Sequence, residues 1–233
     1  MQNSSSSKLP SQVWLQYGSR PNGTIPIRRS SNNHQTIRPT KIIVTQNHSF
    51  SVALTEGYSY SGAKGNIKVW NPYVESDSDY SSSQVMLRNG PLKIYETVQA
   101  GWAVNPIVYN DTKTRLFAYW SDPGTNNWWL TYNDKEVGYW PGDIFRLMKY
   151  QATLVQWGGE VYSPKVGTHP HTATAMGNGE FPDKVFRHSG TMTGMLIEAN
   201  SNPLKHPDPD IIFVSSDEGT CYDAFLLKKT RPP

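Results

Sequence analysis

Residues 152–162 read Ala152-Thr153-Leu154-Val155-Gln156-Trp157-Gly158-Gly159-Glu160-Val161-Tyr162, and their alternation decides the fold. Counted with a period of two, Val155, Trp157 and Val161 fall on one face of an extended strand, and Leu154, Gln156, Gly158, Glu160 and Tyr162 on the other. The run from Lys93 to Val104 repeats the arrangement. Ile94, Glu96, Val98, Ala100, Trp102 and Val104 share one face; Tyr95, Thr97, Gln99, Gly101 and Ala103 share the other. Each strand thus offers an apolar row for a core and a mixed row, with Glu160 on one and Gln99 on the other. Gly101 and the pair Gly158 and Gly159 stand beside these polar residues. Glycines so placed either admit a substrate backbone or mark bulges and tight bends.

Working outward, short runs rich in β-branched and aromatic residues alternate with turn clusters, which predicts strands at Lys41–Thr45, Phe50–Leu54, Asn66–Trp70, Gln84–Leu87, Thr114–Trp120, Asn127–Tyr132 and Glu136–Trp140. Further strands are expected at Thr193–Glu198, Asp210–Ser215 and Tyr222–Leu227. One segment breaks the pattern: Ile144, Leu147 and Met148 follow Pro141-Gly142-Asp143 at helical spacing, which predicts one short helix capped by Asp143. Ser76–Ser83 reads as an acidic, serine-rich loop. The fold class that follows is all-β, an antiparallel sandwich with one short helix. Residues 1–40 are polar and interrupted by Pro10, Pro21, Pro26 and Pro39, and read as a leader and linker; the domain is expected over 41–233.

Composition narrows the function classes. The chain has 233 residues, of which 36% are hydrophobic and 18% charged, and its net charge is +3. The basic residues are scattered except for Arg28-Arg29 and the tail from Lys228 to Arg231, so no face concentrates the charge that nucleic-acid binding requires. The apolar runs, such as Ile211–Val214, are strand-sized, and no membrane partner is expected. Cys221 is the single cysteine, so it forms no internal disulfide and reads as a small buried hydrophobe. His169-Pro170-His171 reads as a loop and not as a metal site, and no metal or cofactor is expected. No Gly-x-Ser-x-Gly elbow supports a serine hydrolase.

The motifs, taken in order, carry a resemblance. Gln99-Ala100-Gly101-Trp102, Thr114 to Trp120, Asn127-Trp128-Trp129-Leu130, Val137-Gly138-Tyr139-Trp140-Pro141 and Val155 to Val161 together look like the neprosin family. Asn22 to Arg29 resembles the junction after that family's propeptide, and His171 to Gly177 with Phe181-Pro182 its post-catalytic segment. The resemblance covers about residues 20–190. It implies a lectin-like β-sandwich, a secreted plant protein, and a glutamic endopeptidase cutting proline-containing peptides in acid, with two glutamates facing each other over a concave sheet. One glutamate corresponds to Glu160, and the other to Gln99. Localisation outside the cell is likewise what the resemblance implies, although the amino-terminal residues show no secretory signal.

Two facing carboxylates share a proton, so that one activates water and the other polarises the scissile carbonyl. Gln99 cannot titrate; its amide is expected to hydrogen-bond the oxyanion and leave Glu160 as the acid/base. Glu96, three residues from Gln99, falls on the wrong face to replace it. Substrate-binding side chains are expected among Trp102, Trp129, Trp157 and Tyr162, although packing explains most tryptophans of a sandwich more cheaply. A second departure lies after Trp120, which leads almost directly to Asn127 where the family has a longer hairpin. Strands are therefore expected to be missing. Both departures also suit a catalytically inactive binding module of the same fold, taking wall glycans or proline-rich proteins, or a degenerate fragment.

Overall fold

The computed structural model describes residues 46–91, 94–121, 124–125, 128–141, 143–182, 188–216, 220–224 and 226. The expected strand at Lys41–Thr45 and the expected leader lie outside the described residues. Among the described residues twelve strands follow in order: β1 (His48–Ile67), β2 (Tyr80–Asn89), β3 (Glu96–Val104), β4 (Arg115–Ser121), β5 (Gly124–Thr125), β6 (Trp128–Tyr132), β7 (Lys135–Trp140), β8 (Asp143–Ile144), β9 (Ala152–Tyr162), β10 (Met192–Ala199), β11 (Asn202–Lys205) and β12 (Ile212–Ser216). The main sheet runs β11-β10-β1-β9-β2-β3-β4, with β12 also paired to β1. Every pair in it is antiparallel. The fold is an all-β sandwich.

β1 joins what the sequence predicts as two strands. Its first half pairs with β12 and its second with β10, while β9 lies along its other side. A register shift between Glu56 and Tyr60 bends it there, and Gly57 takes φ 97°, a conformation that costs glycine little.

The core lies on the Trp157 face. Leu87, Val98, Val155, Trp157, Ile197 and Tyr60 pack against Trp140, Phe145 and Met148 from the segment that crosses over the sheet, with Trp128 and Leu130 partly buried at its margin. Each such side chain contributes roughly 1.5–3 kcal/mol by leaving water. The indole N–H of Trp157 is satisfied by the Lys64 carbonyl at 3.0 Å, and that of Trp128 by the Met148 carbonyl at 3.0 Å.

The expected helix at 144–148 does not form. Asp143 and Ile144 pair with β5 instead. The next backbone N–H groups, of Arg146, Leu147 and Met148, converge on the Glu96 carboxylate at 2.5–3.0 Å. An external acceptor thus replaces the acceptor that a helix would have supplied itself. Helical turns lie elsewhere, at Pro209–Ile211 and at Pro106–Tyr109, where the Asn105 side chain accepts the Val108 N–H and Asn110 closes the turn at φ 54°. The serine run is no loop beyond Asp79: Ser81 and Ser82 are buried in β2. The expected strand at Tyr222 is absent from the described residues 222–224, and the Tyr222 hydroxyl donates instead to the Thr174 carbonyl at 2.7 Å.

Candidate functional site

The face opposite the core carries the polar chemistry. Register places Glu160 directly between Phe50 of β1 and Ser82 of β2, and paired residues in an antiparallel sheet project to the same side. Three side chains close on the Glu160 carboxylate. The Tyr80 hydroxyl donates to Oε1 at 2.6 Å, His48 Nδ1 lies 2.7 Å from the same oxygen, and Gln84 Nε2 donates to Oε2 at 3.1 Å. Glu160 is 9% exposed and Gln84 2%. A carboxylate with this little water needs donors around it, and these three supply them. His48 is in turn boxed by rings: Phe50 lies parallel to it, and Tyr162 and Tyr80 meet it edge-on, while Tyr80 and Tyr162 stack on each other.

Gln99 shares this face but not this neighbourhood. It pairs with Met86, which pairs with Gln156, whereas Glu160 pairs with Ser82, which pairs with Ala103. The offset is four residues along the strands and two strands across, which is roughly 16 Å between Cα atoms. The Gln99 amide donates instead to Thr97 Oγ1 at 3.4 Å. The expectation that residues 99 and 160 face each other directly is therefore corrected: the amide beside Glu160 belongs to Gln84. Alternation alone shows that two residues share a face, and only register shows whether they share a row.

Of the expected substrate-binding residues, only Tyr162 is beside Glu160. Trp102 and Trp157, 3% and 1% exposed, belong to the buried face, and the Trp102 indole donates to the Lys68 carbonyl at 2.9 Å. Trp129 is exposed on β6 and leans on Tyr139. The glycines resolve toward packing. A Cβ on Gly101 would stand 2.0 Å from the Ser83 carbonyl oxygen, and one on Gly158 2.3 Å from that of Ser51, so neighbouring strand backbone fills the space. Glu96, as its parity predicts, lies with the core.

The Glu160 side chain is 11% exposed. A cavity of about 1220 Å³ lies on the other face, floored by Ser51, Ala53, Ser83 and Trp157 and walled by the segment around Met176. Cys221 lines that cavity and is only half-buried, not the fully buried hydrophobe expected. His171 directs Nδ1 to the Thr172 carbonyl at 2.8 Å and packs on Tyr222.

A second carboxylate cluster holds the start of β2. Asp79, 2% exposed, accepts from Thr174 Oγ1 at 2.5 Å and lies 3.0 Å from Thr172 Oγ1. Glu75 takes the Lys165 ammonium and the Ala173 N–H, and lies 3.0 Å from Thr172 Oγ1. The Lys165 hydrogen bond first, then those from Ala173 and Thr172, lower the Glu75 carboxyl to about 2. This latch ties the segment 172–174 to the residues that lead into Tyr80.

Sequence reasoning missed His48, Tyr80 and Gln84 as partners of Glu160. Gln84 opens an expected strand and His48 lies two residues before one, but Tyr80 falls in the stretch read as a loop, and the convergence of all three needs the pairing of β1, β9 and β2. A family model described as Neprosin matches residues 77–126 and 120–231. The two stretches cover about two thirds of the chain and overlap over 120–126.

Proposed function

The chain belongs to the neprosin family, and from that premise we propose that it is a peptide hydrolase in which Glu160 is the acid/base. The observation that carries this reading is the buried Glu160 carboxylate with three side-chain donors on an otherwise mixed sheet face. Such a carboxylate is held in one orientation, as a general base must be. It removes a proton from water as the water oxygen bonds to the scissile carbonyl carbon. Gln84, whose amide lies 3.1 Å from Oε2, has a second N–H to offer the developing oxyanion, the part the sequence assigned to Gln99. The C–N bond then breaks, and the proton held by Glu160 passes to the departing amine. The stacked Tyr80 and Tyr162 offer aromatic surface suited to a pyrrolidine ring, which supports proline-containing peptides as substrate; action in an acidic space outside the cell is the part of this reading that rests on family membership alone.

The test is mass-spectrometric cleavage of a proline-rich peptide at acid pH by the full chain and by Glu160→Gln. The wild type cleaves, and the variant loses about 10²–10⁴-fold in rate. Saturable peptide binding by the wild type without any turnover would instead identify a binding module and end the hydrolase reading.

A further inference from the structure

We infer that His48 is the positioning residue of the Glu160 carboxylate and that Oε2 is the oxygen left to meet the reacting water, an inference that rests on the hydrolytic reading above. A carboxylate oxygen offers two in-plane lone-pair sites. At Oε1 both are taken, by the Tyr80 hydroxyl at 2.6 Å and by His48 Nδ1 at 2.7 Å. At Oε2 Gln84 Nε2 takes one, at 3.1 Å. Among the described residues the remaining site is therefore on Oε2, on the side of the carboxylate that carries the Gln84 amide. One oxygen anchors the group and the other works.

His48 suits the anchoring role because its own orientation is fixed. Its ring lies 7° from parallel to Phe50 at 6.1 Å and meets Tyr162 edge-on at 4.8 Å and Tyr80 edge-on at 6.0 Å. Nδ1 also lies 3.3 Å from the Tyr80 hydroxyl, so the two donors and Oε1 form a closed triangle. The titratable groups that face the ring are Tyr80 from β2 and Glu160 and Tyr162 from β9. Rotation about the last side-chain torsion of a glutamate is soft and nearly two-fold. Without the His48 contact Oε1 keeps only the Tyr80 hydroxyl and gains an open lone pair, so the carboxylate can turn about this torsion and no longer presents its open site on Oε2 alone. Proton balance is unchanged: Oε2 takes the proton from water as its oxygen bonds the carbonyl carbon, and returns it to the leaving nitrogen. His48 itself transfers none.

Two variants of the full chain separate positioning from packing. His48→Phe keeps a ring among the aromatics and loses the donor, whereas His48→Asn returns an amide N–H near the place of Nδ1. On a proline-containing peptide, His48→Phe is expected to lower kcat about 10²-fold with KM unchanged, and His48→Asn to recover most of it. Side-chain ¹⁵N spectra provide a readout independent of turnover: the His48 Nδ1 resonance moves when Glu160 becomes Gln, and the wild-type fold is otherwise retained. Unchanged kcat in His48→Phe, an Asn variant as slow as the Phe variant, or an Nδ1 resonance indifferent to Glu160→Gln would each overturn the inference. If the wild type itself cleaves nothing, the hydrolytic reading falls, and the ¹⁵N shift alone decides whether His48 holds Glu160.

Discussion

Glu96 and Glu160 are both glutamates withdrawn from water, 4% and 9% exposed, and they are neutralised by different means. Glu96 is held by three consecutive backbone N–H groups of residues 146–148, so its charge is spent on ordering the crossover segment. Removing it leaves those donors unsatisfied beside the core, and Glu96→Ala is expected to destabilise the protein by about 3 kcal/mol in urea denaturation, with secondary structure intact. Glu160 is held by side chains instead, and among the described residues one of its oxygens retains a lone pair. The sequence distinguishes these two residues by parity alone, since Glu96 alternates with Val98 and Trp102 while Glu160 alternates with Gln156 and Tyr162. What parity omits is the row. Gln99 stands on the correct face and four residues from the correct place, because its partner on β2 is Met86 where the partner of Glu160 is Ser82.

At the scale of elements, strands with strict alternation were legible nearly to their ends: β9 spans the residues that alternation gives, and β3, β4, β6, β7 and β10 fall within a few residues of expectation. The short helix was not, because its apolar spacing is equally served by a bent segment whose N–H groups find the Glu96 carboxylate. The serine-rich stretch before Gln84 misled for the opposite reason. Its small polar residues read as a loop, yet Ser81 and Ser82 are buried in β2.

The latch at Glu75 and Asp79 sets where β2 begins and so where Tyr80 points. The folded Glu75 carboxyl is lowered from 4.5 to about 2, chiefly by Lys165. A depressed carboxylate contributes stability that is present above its unfolded value and lost as pH falls through the folded value. The contribution of Glu75 is therefore full above about pH 4.5 and gone below about pH 2. Since Glu75 is a quarter exposed, solvent screens the pair and the effect is modest. Thermal melts of wild type and Glu75→Gln should differ at pH 7 and converge near pH 2; an equal gap at both would show that the latch does not depend on this charge.

For the whole molecule, the sheet divides labour between its faces. One buries Trp157, Val155 and Val98 with the crossing segment, and the other gathers His48, Tyr80, Gln84 and Glu160 from three adjacent strands. That gathering is set by register across β1, β9 and β2, pairings between residues more than 60 positions apart in sequence. No local pattern encodes such a pairing, which is why the fold class was readable and the site only half so. The amide beside Glu160 comes from Gln84 and not from Gln99. Steady-state kcat on a proline-containing peptide, compared for Gln84→Ala and Gln99→Ala, tests it most directly. Gln84→Ala is expected to lose about 10²–10³-fold and Gln99→Ala to stay close to wild type; the opposite order would return the oxyanion role to Gln99.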